Sequence, residues 1–430
     1  MRALGARIPR LDAELQVQGK LRFTDDLDIP GLLCGKVLRS SEAHADIVDI
    51  DTSEAESIEG VAAVITARDV PFNSWGIMLD DRGARLPDDK AVLSAKRVFY
   101  RGDGVAAVAA VTPEIALKAL DKIKVTYRRL PAVFDPVEAM KPESPKIHGS
   151  DNVATRRYLR RGDVEEGFGQ SDFVIEDVFS SPMIEHASME PHACIARYEP
   201  DGAFTIWSST QRPFVVVADV ARVLEVPLSK VRLITPPVGG GFGGKNEMTV
   251  EAIACLLSRK SGSPVKIVYT REEEMTASTV RHPYVMTFKS GVKKDGTLLS
   301  RYVKIISNTG PYVGVGARTL ERAVNFCCGP YVIPHVLVEG FLVYTNCNDG
   351  GAMRGFGVPQ TIFACEVHTD RIARELGVDP LEFRLKNALR DGATMMNGQI
   401  LQKSNVVETL RVAAERSGWG SDQRQRGCRG

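Results

Sequence analysis

Short apolar runs bounded by glycine or proline alternate along this chain with stretches whose apolar positions recur every three or four residues. The first pattern predicts strands covered on at least one face and the second predicts helices. In the N-terminal part, residues 31–38, 61–66, 104–111 and 123–127 are strand-like, and 113–121 forms a helix with Thr112 as its cap and Pro113 in its first turn. Further on, 204–207, 231–234 and 264–269 read as strands. Residues 248–257 place Met248, Ala252, Ile253, Leu256 and Leu257 on one helical face, 361–376 is a second such helix, and Asp379-Pro380-Leu381-Glu382 opens a third through Ala388. The polar stretch 141–162, with Pro142, Pro145, Gly149, Asp151 and Asn152, reads as a linker. The fold class is therefore mixed α+β and α/β, in two units at 1–145 and 146–415, with a polar tail at 416–430.

The stretch on which the pattern turns is Val238-Gly239-Gly240-Gly241-Phe242-Gly243-Gly244-Lys245. It lies between a predicted strand and a predicted helix. A corner of that kind offers free N–H groups at a helix N-terminus to anions and oxo groups. Phe242 is too large for a turn residue and must cover something. Three readings compete. Gly239-x-x-x-x-Gly244-Lys245 matches most of a phosphate-binding loop, but Asn246 stands where that motif needs Ser or Thr for magnesium. A glycine-rich turn packed in a core is the plain alternative. The third reading is a cofactor loop.

Composition narrows the classes. The 430 residues are 43% hydrophobic and 25% charged, as in an ordinary soluble globular protein. A formal net charge of +1 gives no electrostatic case for nucleic acid or an anionic membrane. No apolar run reaches signal-peptide or bilayer-spanning length, so a cytoplasmic location is expected. The eight cysteines include no Cys-x-x-Cys pair, so neither zinc nor an iron–sulfur cluster is signalled.

Other residues could carry chemistry. Gln211 closes Ser208-Ser209-Thr210-Gln211, where the strand 204–207 should open onto a loop; alone it reads as a surface residue. Glu190 and His192 could pair catalytically, although a buried hydrogen-bonded turn is the commoner use of such groups. His44 and His282 have no partner in sequence and read as structural. Arg322, in Glu321-Arg322-Ala323, offers a planar fork of donors or an ordinary surface ion pair. Gly351-Ala352-Met353-Arg354-Gly355-Phe356-Gly357 is a second glycine-rich turn entering a helix, again with one phenylalanine.

Several of these motifs, in register, resemble the xanthine dehydrogenase/aldehyde oxidase family of molybdenum hydroxylases. Leu38-Arg39-Ser40-Ser41-Glu42-Ala43-His44-Ala45 and Tyr100-Arg101-Gly102-Asp103-Gly104-Val105-Ala106 are similar to landmarks of its α/β hammerhead domain. Gly162-Asp163-Val164-Glu165-Glu166-Gly167-Phe168, the Ser-Thr-Gln turn, the first glycine loop and Ala352-Met353-Arg354-Gly355-Phe356-Gly357 are similar to its first molybdopterin-binding domain. The resemblance implies a molybdopterin-type cofactor, its cytosine dinucleotide form among the options, bound by Gln211, Gly241, Phe242, Gly243 and Arg354. Gln211 would donate to an oxygen ligand of the metal. A planar heteroaromatic or aldehyde substrate would face Asn246, Arg322 and Phe356. Asn246 stands where purine-oxidising members carry glutamate, which argues against xanthine.

Family members run on for several hundred residues, to further cofactor loops and a glutamate that acts as base. No catalytic residue is therefore expected in this chain, and a second molybdopterin-binding subunit or domain is expected to supply the base. Electrons would leave through [2Fe-2S] and FAD partner subunits. A truncated, non-catalytic remnant or interaction subunit, and a subunit similar to 4-hydroxybenzoyl-CoA reductase, are the alternatives.

Overall fold

A computed structural model describes residues 4–76 and 89–420. Two large sheets organise it. The seven-stranded sheet runs in the order Val231–Ile234, Phe204–Ser208, Ala193–Tyr198, Val265–Val268, Leu33–Arg39, Gly104–Ala110, Val61–Thr66. Its alanine-rich strand Gly104–Ala110 shows the sequence logic. Successive side chains point to opposite faces, so Ala107 and Ala109 join the core that holds helix Glu251–Ser261. Ala106, Val108 and Ala110 meet Ala116 and Ala119 of helix Pro113–Leu120. Thr112 caps that helix by accepting from Ile115 N–H, as its sequence predicts.

This sheet is continuous across the boundary expected at 145. Leu33–Arg39 pairs in parallel with Val265–Val268, so the units at 1–145 and 146–415 share a sheet. The contact is close: a Cβ on Gly35 would lie 2.5 Å from Ile267.

The five-stranded sheet runs Val153–Arg161, His335–Tyr344, Leu298–Gly310, Tyr284–Val292, Phe173–Ser181. Helices Gly316–Phe326 and Val358–Glu375 pack on it around a second core. Here the linker reading of 141–162 is corrected, because Val153–Arg161 is an edge strand antiparallel to His335–Tyr344. Arginines at 156, 157, 160 and 161 hide its alternation, a common property of edge strands.

Two further expectations shift. The helix placed at 248–257 begins at Glu251, after a 3₁₀ turn at Gly244–Asn246. Met248 and Val250 are buried as loop residues, and their packing imitates the helical period. The tail drawn from 416 is partly ordered, since helix Val406–Ser417 runs past Arg416; residues 421–430 lie outside the described residues. Among the described residues no helix is long and apolar enough to cross a membrane.

Candidate functional site

Parallel pairing assembles the site. Strands Phe204–Ser208 and Val231–Ile234 lie side by side in parallel, so their C-terminal ends open at the same edge. One leads to Gln211 and the other to the first glycine loop. Gln211 N–H donates to Lys245 O at 2.8 Å, and Gln211 Oε1 accepts from Gly243 N–H at 2.9 Å. Its side chain lies against Gly241, where a Cβ would come within 2.6 Å of Oε1. With Oε1 committed, the Nε2 group remains as a neutral donor. The same bond corrects the expectation of free N–H groups at a helix N-terminus: Gly243 N–H is used by Gln211, and the helix begins eight residues later, at Glu251.

A buried clamp holds this loop. Glu190 Oε2 accepts from Gly239 N–H and from Lys245 Nζ, each at 2.8 Å. Lys245 is 1% exposed, and its salt bridge is closed to solvent. Burial pushes the Lys245 ammonium below its usual pKa, and Glu190 pulls it back. A lysine committed to a buried glutamate cannot reach a phosphate, so the nucleotide-loop reading falls. His192 belongs to the same support. Its Nδ1 faces both Glu274 oxygens at 2.9 and 3.1 Å, and its Nε2 faces Gly244 O at 3.2 Å. Glu190 and His192 therefore serve the loop separately and do not pair with each other.

The second loop comes from the other half of the fold. The parallel bridge between Val280–Arg281 and Gly350–Gly351 precedes it, and Gly357 ends it as the N-cap of helix Val358–Glu375, at φ 90°. Arg281 braces its main chain, donating to Arg354 O at 2.9 Å and to Gln360 Oε1 at 3.0 Å. The two loops meet through Arg354 N–H donating to Phe242 O at 2.8 Å. His186 Nε2 donates to Ala352 O at 2.6 Å, and its ring packs on Gly244 of the first loop. Phe242 at φ 50° and Phe356 at φ 52° both occupy the left-handed region. Non-glycine residues are held there at a cost, commonly at ligand sites.

Gln211, Gly241, Phe242, Gly243, Arg354 and Phe356 are thus brought to one place by contact. Asn246 is half-buried in the 3₁₀ turn beside them. Arg322 is exposed on helix Gly316–Phe326, one turn beyond Thr319, whose carbonyl packs against Gly357. Among the described residues nothing joins Arg322 to the loops or to an ion pair.

Known proteins share this fold. Residues 147–388 match the molybdopterin cofactor-binding domain, and residues 18–131 match the hammerhead domain of aldehyde oxidase and xanthine dehydrogenase. The chain is 39% identical over 416 residues to the nicotinate dehydrogenase large molybdopterin subunit of Eubacterium barkeri, covering 96% of each. It belongs to the xanthine dehydrogenase/aldehyde oxidase family. A probable xanthine dehydrogenase subunit from Bacillus subtilis is 43% identical over 88% of this chain but only 50% of its own length. The aldehyde oxidoreductase structure from Desulfovibrio gigas superposes with a TM-score of 0.94 at 31% identity, over 99% of this chain and 48% of the other. The chain thus spans about half the length of these two family members.

The residues present suit the family's cofactor. Gln211 offers a fixed neutral donor, Gly241 and Gly243 clear the backbone around it, and Arg354 is an exposed cation beside Phe242. A donor and a cation beside bare backbone match an anionic group bearing oxo and phosphate oxygens.

A Ser–His–Asp chain elsewhere makes no second site. Asp177 bonds His368 Nδ1 at 2.6 Å, and His368 Nε2 meets Ser290 Oγ at 3.0 Å. Ser290 and His368 are fully buried, and Arg301 Nε donates to Ser290 Oγ at 2.9 Å. This hydroxyl is therefore spent on a buried guanidinium.

Proposed function

We propose that the chain forms one half of the molybdenum centre of a hydroxylase acting on the carbon beside nitrogen in a heteroaromatic ring, or on an aldehyde carbon. The observation that carries this reading is the Gln211 amide, fixed by Gly243 with its Nε2 donor left over, at the point where the two phenylalanine loops touch. When bound, the molybdenum cofactor accepts the two electrons of the oxidation, and water supplies the oxygen atom.

This chain's own residues bind and orient. Gln211 Nε2 donates a hydrogen bond without adding charge. Phe242, with Gly241 and Gly243, covers one side of the cofactor, and the Arg354 guanidinium balances its negative charge. Phe356 offers a ring face to a planar substrate, Arg322 a fork to a substrate carboxylate or carbonyl, and Asn246 a neutral side chain. The general base comes from a second molybdopterin-binding subunit or domain. Glu247 is no candidate, since it is buried behind the loop. The likeness to a relative named as a large molybdopterin subunit supports a multi-subunit arrangement. Cytoplasmic [2Fe-2S] and FAD subunits would take the electrons, and the pterin could carry a cytosine dinucleotide.

The test is co-purification from the native host, with metal analysis and turnover on nicotinate and other N-heteroaromatics. Gln211→Ala is expected to retain molybdenum and lose about 10²-fold or more in kcat, the usual effect of removing one preorganised donor. A complex without molybdenum, or a Gln211→Ala complex with unchanged turnover, would overturn the reading.

A further inference from the structure

The roots of the two loops share a buried charge cluster that the site chemistry does not use. Glu247 directly follows the first loop's 3₁₀ turn, and Asp349 directly precedes Gly350-Gly351 of the second. They are 2% and 1% exposed. One ammonium reaches both. Lys90 Nζ bonds Asp349 Oδ2 and lies 4.0 Å from Glu247 Oε2. It is steadied over the rings of Trp75 at 4.9 Å and Tyr312 at 5.7 Å. Asp349 takes the short bond. Neither Glu247 oxygen has a hydrogen-bond partner among the described residues. The groups facing this cluster are carboxyls too, and burial raises them, Asp89 to about 7 and Asp103 to about 6. Asp89 accepts from Val313 N–H at 2.7 Å and Tyr344 OH at 3.3 Å. Asp103 accepts from Phe99 N–H at 2.6 Å and Tyr312 OH at 2.8 Å. Asp219 contributes from a third element.

One partly buried ammonium cannot neutralise two buried carboxylates, and an ionised carboxylate without a donor is costly enough to take up a proton. We infer that Lys90 is a positioning residue for the cofactor site, holding Asp349 ionised and Glu247 as the neutral acid, so that ionising Glu247 displaces the first loop. The order of the acids follows from their partners: burial raises both, but Asp349 has the ammonium bond, whereas Glu247 has only the ammonium's charge at 4.0 Å. Burial, with the charges of Asp349, Asp219 and Asp89, pushes Glu247 up to about 8 against the pull of Lys90. The loop's support therefore changes charge in mildly alkaline solution. Lys90 lies 259 residues from Asp349, so the N-terminal unit takes part in shaping the site.

The consequence for turnover rests on the function proposed above; the protonation state does not. The assembled complex is compared with its Glu247→Gln form by infrared difference spectroscopy at about pH 6 and about pH 9, together with the pH profile of kcat. A protonated-carboxyl band in the wild type at the lower pH, absent from Glu247→Gln and lost at the higher pH, is expected. The alkaline limb of kcat should move by more than one pH unit in the variant. Lys90→Met should lower kcat about tenfold or more through misplacement of the loops, and Lys90→Met/Asp349→Asn should recover part of that. Identical infrared spectra, an unmoved alkaline limb, or a double variant no better than Lys90→Met would overturn the inference. A complex that lacks molybdenum yet shows the band would sink only the proposed function.

Discussion

The two phenylalanine loops present similar rings from nearly the same backbone angles, yet they are held in different ways. The first loop is fixed by side chains: Glu190 and Lys245 beneath it, Gln211 on Gly243, His192 on Gly244. The second is fixed by chain geometry. Gly357 caps an 18-residue helix, a parallel bridge precedes the loop, and Arg281 grips the main chain at Arg354. The first loop is thus held chiefly by a buried ion pair within it, and the second chiefly by helix and strand ends, with Arg281, His186 and the Lys90–Asp349 pair at its root as side-chain braces. Their rings differ too. Phe242 is 48% exposed, whereas Phe356 packs on Val315 and Ala352. Removing a buried charge should damage the first loop more than removing the equivalent brace damages the second.

The largest expected effect tests that directly. Lys245→Met leaves the Glu190 carboxylate buried beside Gly239 without a counter-charge. Breaking a buried pair from one side typically costs about 3–5 kcal/mol. Arg281→Met removes charged hydrogen bonds that are partly open to solvent, at about 1.5–3 kcal/mol. Chemical denaturation of the two variants orders them, and Lys245→Met/Glu190→Gln should recover much of the first loss. If Arg281→Met proves the more damaging, the division between charge-held and geometry-held loops is wrong.

Acid and alkali should separate the loops next. His282 sits behind the second loop, where a Cβ on Gly350 would lie 2.6 Å from its ring. Burial lowers it to about 4, against the neighbouring Gly351 backbone, which raises it. A histidine depressed in the fold contributes stability that is complete above its unfolded value near 6.5 and is lost as pH falls towards 4. The full difference is on the order of 3 kcal/mol. At the first loop the sign reverses. Glu247 is raised, so its contribution is complete below the usual carboxylate range and is lost as pH rises through about 8. Melting temperatures followed from about pH 4 to 9 should fall at both ends. His282→Gln should remove the loss between 6.5 and about 4, and Glu247→Gln should remove the opposite slope that runs from the usual carboxylate range up to about 8.

The sequence made local features legible and left distant pairings hidden. That the Ser-Thr-Gln turn opens onto a loop was readable from the strand end before it, but alone Gln211 reads as a surface residue; its place in the site came from the family resemblance, and the parallel neighbour that brings the glycine loop to that edge was hidden. The strands at 33–39, 61–66 and 104–110 were readable from their apolar runs, but not the pairing of 33–39 with 265–268, which closes across more than 200 residues. The strand Val153–Arg161 was lost because arginines on an edge strand look like a linker. The helix start at 248 was misread because Met248 and Val250 enter the same core as the helix that follows. Lys90, His186 and Glu247 gave no signal. Polar residues are usually exposed, and only the folded chain shows that His186 and Glu247 are buried at the loops and that Lys90 reaches Glu247 and Asp349.

The smallest effect is the most discriminating. Phe242→Ala and Phe356→Ala leave the same kind of residue in the same left-handed conformation, so the backbone cost is shared and cancels in the comparison. What remains is ring burial. The Phe242 ring is half open, and its loss should change stability by no more than about 0.5 kcal/mol. Phe356→Ala removes contacts with Val315 and Ala352 and should cost about 1–2 kcal/mol. Turnover should rank them the other way if Phe242 covers the cofactor: the variant with the more stable fold should lose molybdenum or kcat at least as severely as its partner. Equal losses of stability would mean that the isolated chain already buries Phe242. Unchanged metal content and turnover in Phe242→Ala would mean that its strained backbone serves only to reach Arg354, and the ring would lose its assigned role.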